Sequence, residues 1–167
     1  MRTLPLILGL LLAPSLAAAK PCKKLAVDRT DAFGVRTHGG VVYQADRYRA
    51  VGLREEDGKL LLATLWVQSG VRDQPAPAGT EVQFALADGT LFTGRTLVEA
   101  PAVSNANLST IFTQWVLDIE LDRERLAQLT AVELVGVRVE FAELNMSYGP
   151  TAKLQADFRT LAACMME

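Results

Sequence analysis

The sequence predicts a mainly β fold: an antiparallel β-sandwich of immunoglobulin-like character, with a short helix between two strands and an amphipathic helix near the carboxyl terminus. Three observations support this prediction. Apolar and polar residues alternate over several short segments, which is the pattern of half-buried strands. Asp-Gly pairs separate neighbouring segments, as in β-hairpins, and the segments recur at sandwich-like spacing. A small up-and-down β-barrel is the alternative, because both folds share these patterns.

The first half of the chain after residue 19 predicts three extended segments, over residues 41–45, 49–53 and 59–68. Thr37-His38-Gly39-Gly40 is a candidate turn before the first of them, and Asp57-Gly58 is a hairpin turn before the third. Residues 59–68 are apolar at nearly every position, which predicts a central strand covered on both faces.

The second half predicts four further strands, over residues 81–86, 90–98, 110–121 and 132–143. Asp88-Gly89 supplies a hairpin turn between the first two of these strands. The proline-containing stretches 71–79 and 100–107 are predicted to be loops.

Two helices are predicted from spacing and capping signals. Asp122 can cap a short helix over residues 122–128, in which Leu126 and Leu129 share one face. A second helix starts near Pro150. Its apolar stripe recurs at helical spacing and consists of Leu154, Phe158, Leu161 and Met165.

Residues 1–19 have the order of features of a cleavable secretory signal peptide. Arg2 is followed by the apolar run 4–12, then by Pro14 and the small residues Ala17-Ala18-Ala19. The run is shorter than the roughly 20 apolar residues that a membrane span requires. We therefore predict cleavage after Ala19 and a single β-rich domain over residues 20–167.

The two cysteines, Cys22 and Cys164, are predicted to form a disulfide that closes nearly the whole mature chain into one loop. Lys20 and Pro21 before Cys22 do not fit a lipoprotein signal. We therefore expect an exported protein without a lipid anchor or transmembrane segment, located in the periplasm or secreted.

Composition and motifs predict neither a cofactor nor a metal. The formal charge is −2 with both signs interspersed, which does not favour binding to nucleic acid. His38 is the only histidine, so a three-histidine zinc site is excluded. A calcium site could use the oxygens of Asp28, Asp31 and Asp46, although no Asp-rich calcium loop is present.

The leading functional hypothesis is a non-enzymatic binding or accessory module for an unknown protein or small ligand. Phe112 and Val116 are apolar positions on an otherwise polar strand face and form a possible partner patch. Two alternatives remain: a barrel that carries an apolar ligand, and an envelope hydrolase that uses carboxylates such as Asp118 and Glu120.

Overall fold

The computed structural model describes residues 19–32, 34–44, 48–107, 110–142 and 144–166. The predicted signal peptide lies outside these residues, except for Ala19. The described chain contains three helices and ten strands. In chain order they are α1 (Ala19–Leu25), β1 (Val27–Thr30), β2 (Arg36–Tyr43), β3 (Arg49–Glu56), β4 (Lys59–Ser69), β5 (Glu81–Leu86), β6 (Leu91–Arg95), β7 (Val103–Asn107), β8 (Thr110–Glu120), α2 (Arg123–Ala131), β9 (Leu134–Phe141), β10 (Leu144–Tyr148) and α3 (Ala152–Cys164).

The strands form two antiparallel sheets, which confirms the predicted mainly β fold. One sheet has six strands in the order β1-β2-β3-β4-β8-β7, and the other has four in the order β10-β9-β5-β6. The six-stranded sheet curls as a half-barrel. Its contact with the four-stranded sheet includes an isolated bridge between Thr96 and Ile119 and a hydrogen bond of 3.1 Å from Leu97 N to Asp118 O. The architecture therefore combines features of a sandwich and a barrel.

The space between the sheets is filled by large side chains. Trp66, Trp115, Phe84 and Phe158 are each at most 1% exposed. Trp66 packs edge-on against Tyr148 at 5.2 Å between ring centroids. A filled interior of this kind places ligand-accessible surface on the outside of the sheets.

Both predicted Asp-Gly hairpins are confirmed. Asp57 and Gly58 have φ angles of 50° and 75°, and Glu56 pairs directly with Lys59, so the loop has the positive φ angles of a two-residue type I′ turn. In the second hairpin, Asp88 Oδ1 accepts a hydrogen bond of 2.9 Å from Thr90 N.

Both predicted helices are also confirmed. Asp122 caps α2, with its Oδ1 accepting a hydrogen bond from Arg125 N at 2.6 Å, and Leu126 and Leu129 are buried. The second helix is capped by Thr151, one residue after Pro150. Its predicted apolar stripe is buried: Leu154, Phe158, Leu161 and Met165.

The predicted turn at Thr37-His38-Gly39-Gly40 is wrong, because these residues belong to β2. Glycine at position 40 serves a different purpose. A Cβ there would lie 1.7 Å from the carbonyl oxygen of Leu25 and 3.2 Å from Leu161 Cδ1. The glycine therefore lets the end of α1 approach the strand, and it does not reverse the chain.

Two boundaries in the second half also differ from the prediction. Part of the predicted loop 100–107 forms the edge strand β7. The predicted strand 132–143 ends at Phe141, because the chain reverses through Ala142 (φ 48°) into β10. A register shift between β5 and β9 also leaves Val135 38% exposed, although Val137, two positions further along the strand, is buried.

The prediction that residues 59–68 form a central strand is confirmed, since β4 lies between β3 and β8. Coverage on both faces is confirmed only in part. On the face away from the core, Leu61 is buried, but Ala63, Leu65 and Val67 are only half-buried. An apolar strand surface is therefore partly open to solvent.

Candidate functional site

The outer face of the six-stranded sheet, which points away from the core, carries rows of apolar residues. Strand register places two rows of residues side by side across four strands. The first row is Tyr43, Ala50, Leu65 and Val116, and the second begins with Val41, Gly52 and Ala63 before ending at Asp118. We call the seven residues before Asp118 the apolar outer face. Tyr43, Val41 and Val116 are 57%, 51% and 46% exposed.

A trough of about 500 Å³ lies where α1 and β1 meet this face. Small residues at Gly39, Gly52 and Ala63 leave space above the sheet. Apolar walls come from two neighbouring segments of the chain and consist of Leu25, Val27, Val41 and Tyr43. The trough therefore extends the apolar outer face towards the edge of the sheet.

Two glycines in β2 fix the shape of this edge. A Cβ at Gly39 would lie 2.2 Å from Leu53 O, and one at Gly40 would meet Leu25 O. Larger residues at either position would displace backbone, because the nearest atoms belong to the main chain. Gly40 therefore lets the end of α1 lie against the sheet, and Gly39 lets β2 approach β3 closely.

The predicted disulfide between Cys22 and Cys164 is present, with 5.5 Å between the Cα atoms. It joins α1 to α3, which packs on the core side of β2. The bridge therefore anchors the element that forms one wall of the trough.

The charges around the trough are of one sign. Lys24, Arg29 and Arg54 line it, and neither aspartate nor glutamate is among the lining residues. Arg54 is already engaged, because its guanidinium donates a hydrogen bond of 2.9 Å to Asp118 Oδ2 and its Nε lies 3.3 Å from Glu56 Oε2. Within the described chain, Lys24 and Arg29 form no ion pair.

Asp118 and Glu120, the carboxylates of the hydrolase hypothesis, lie on the same outer face. Asp118 is held by Arg54, and within the described residues its second oxygen, Oδ1, is buried without a hydrogen-bond partner. Glu120 lies two residues further along β8 and is exposed. Arg138 and Glu140 form an ion pair of 3.0 Å on the other sheet, so the two sets of charges do not converge.

His38 lies beside Asp28 on β1, with 3.0 Å between Nδ1 and Asp28 Oδ1. This hydrogen bond, together with Arg36 at 3.4 Å, holds the pKa of Asp28 below its ordinary value. Of the other calcium candidates, Asp31 caps a local turn by accepting from Val35 N, and Asp46 lies outside the described residues. No cluster of three potential metal ligands occurs within the described part of the chain.

The predicted partner patch, Phe112 and Val116, lies on the outer face of β8. Val116 joins the apolar outer face directly through its pairing with Leu65. Phe112 lies four residues before Val116 in β8 and is half-buried. It lines a separate depression together with Tyr48 and Val67. The larger part of the apolar surface comes from β2, β3 and β4, which sequence reasoning did not assign to a site.

No family model matches the sequence, and no curated protein or solved structure matches it either. Among the residues described, no helix has the length and apolar character needed to cross a membrane.

Proposed function

We propose that the chain is an exported, non-enzymatic binding module that holds its partner on the apolar outer face of the six-stranded sheet. The observation that carries this proposal is the exposure of Val41, Tyr43 and Val116, which share the outer face of the sheet and are 46–57% exposed. Exposed apolar side chains grouped on one face of a sheet are typical of interaction sites.

Export is supported by two independent features. The first is the signal-like pattern over residues 1–19. The second is the disulfide between Cys22 and Cys164, since structural disulfides persist mainly in oxidising compartments. The periplasm and the extracellular space both satisfy these conditions. The mass of the mature, non-reduced chain tests this part of the proposal, and a chain that retains residues 1–19 would contradict it.

A binding role fits the observations better than the two alternatives. A carrier with an internal cavity would need space where Trp66, Trp115 and Phe84 are packed. The hydrolase hypothesis needs Asp118 as a free carboxylate, whereas Asp118 is hydrogen-bonded to Arg54. Both alternatives remain hypotheses, and neither has an observation that favours it.

Site-specific photo-crosslinking in the organism that encodes the protein tests the binding site. A photoreactive amino acid would replace Tyr43 or Val116 in two separate variants. Leu91, which is 75% exposed on β6 of the other sheet, provides the matched control position. We expect a covalent adduct at positions 43 and 116 and none at 91. Equal adducts at all three positions, or none at 43 and 116, would contradict the proposal.

A further inference from the structure

We propose that the trough at the edge of the apolar outer face binds a fatty acid in its carboxylate form. This inference rests on the proposed function, because it names the chemical class of the partner at the same face. An anionic amphiphile of this type combines a flexible apolar chain with one negative charge. Both properties have a counterpart among the residues that line the trough.

The shape of the trough suits a flexible chain. Gly39, Gly52 and Ala63 present little or no side chain, so an occupant can contact the sheet closely. The volume of about 500 Å³ lies within the range of small-molecule sites. Leu25 and Tyr43 add apolar contact area, which favours the removal of the chain's methylene groups from water.

The edge of β2 argues against an added peptide strand. β1 pairs with β2 only as far as Gly39, so a peptide would have to continue the sheet beside Gly40. The backbone of Leu25 already lies against that residue. An occupant that binds through apolar contact, without backbone pairing, avoids this obstruction.

The charges favour an anion. Lys24 and Arg29 are exposed, have no ion-pair partner within the described residues, and both line the trough. Arg54 contributes less, because Asp118 and Glu56 already offset its charge. We therefore place the carboxylate near Lys24 and Arg29, with the chain extending over Gly52 and Ala63. A second copy of the protein would bring further cations to the same rim, which disfavours a symmetric dimer here.

Titration of the ¹⁵N-labelled mature protein with dodecanoate, below its micelle concentration, tests the inference. Saturable chemical-shift changes are expected at the amides of Gly39, Gly52 and Ala63. The matched probe dodecyltrimethylammonium has the same chain length and the opposite charge. We expect its Kd to be at least about ten-fold higher, because it meets two unpaired cations.

Charge reversal separates the headgroup contact from the apolar contact. Lys24→Glu together with Arg29→Glu is expected to raise the Kd for dodecanoate about ten-fold and to leave uncharged dodecyl maltoside unchanged. Arg72→Glu is the control, since Arg72 is exposed and does not line the trough. Dodecanoate shifts that are absent, that lie elsewhere, or that are matched by the cationic probe would overturn the inference. A protein-sized photo-crosslink at position 43 would also overturn it, while leaving the proposed binding module intact.

Discussion

One row of residues on the outer face of each sheet has the same type of strand pairing but different chemistry. Four residues in register across the four-stranded sheet are all polar and exposed: Ser147, Arg138, Gln83 and Thr93. The corresponding row on the six-stranded sheet is Tyr43, Ala50, Leu65 and Val116. An antiparallel sheet packed on one side needs apolar residues on that side only. The apolar outer face is therefore not required by the sandwich, and this excess is what points to a binding role.

The substitution with the largest expected effect on stability is Gly40→Ala, in β2 of the six-stranded sheet. The new Cβ would overlap Leu25 O, which the disulfide at Cys22 prevents from moving away freely. We expect the free energy of unfolding to fall by about 1–3 kcal/mol, as for other overpacked sites. Urea denaturation followed by the fluorescence of Trp66 and Trp115 measures this change.

Gly149→Ala provides the control for that substitution. Its nearest neighbour, Val135 O, would lie 3.6 Å from the new Cβ, an ordinary contact distance. The expected change in unfolding free energy is within about 0.5 kcal/mol, or a small gain from the reduced entropy of the unfolded chain. Equal losses in the two variants would show that α1 is not held against β2 as described.

A smaller effect is expected for the coupling energies of two ion pairs, one on each outer face. Arg54 and Asp118 are 33% and 21% exposed in their side chains, whereas Arg138 and Glu140 are 50% and 63% exposed. Double-mutant cycles to alanine should give a coupling energy of about 1 kcal/mol for the first pair and below about 0.5 kcal/mol for the second, because solvent screens exposed pairs. Equal coupling energies for the two pairs would mean that the apolar outer face does not shield Arg54 and Asp118 from solvent.

The smallest expected effect concerns Asp28. Its pKa is lowered chiefly by the hydrogen bond with His38, so the charged form is favoured in the folded protein. A lowered folded-state pKa adds stability above the unfolded-state value of about 4, and this stability is lost as the pH falls through the folded-state pKa. His38→Ala should raise the pKa of Asp28, as measured by NMR titration of its carboxyl carbon.

Asp88 is the internal control for this titration. Its pKa is also lowered, but by the backbone N–H of Thr90 in a hairpin of the other sheet. His38→Ala should therefore leave the pKa of Asp88 unchanged. A parallel change at both residues would indicate a global perturbation and would contradict the local cause assigned to Asp28.

Much of the fold followed from local signals in the sequence. The Asp57-Gly58 turn and the Asp122 cap depend only on backbone within a few residues. The local sequence is therefore enough to predict them. The reversal at Ala142 was missed because alanine rarely adopts a positive φ and gives no turn signal. Gly39-Gly40 gives a turn signal in the sequence, but these glycines are needed for close contact with Leu53 and Leu25, which are near them only in the folded chain.

The site was harder to predict than the fold. Val116 was correctly placed on the outer face by alternation within β8. Val27 on β1 and the pair Val41 and Tyr43 on β2 come from separate segments, and only strand register brings them into one surface. The apolar character of residues 59–68 was visible in the sequence, but it predicted burial on both faces, whereas part of the outer face remains open. The difference depends on which elements pack there, and alternation within one strand cannot give that information.

The bridge between Cys22 and Cys164 also determines how the domain would respond to mechanical force. The two cysteines are 142 positions apart in sequence, and all ten strands lie between them. Tension transmitted from the chain before Cys22 to the chain after Cys164 would pass through the covalent bridge, and the hydrogen-bonded ladders would carry almost none of it. Under such a load the oxidised domain would act as a short, inextensible link, while the reduced chain could be drawn out strand by strand.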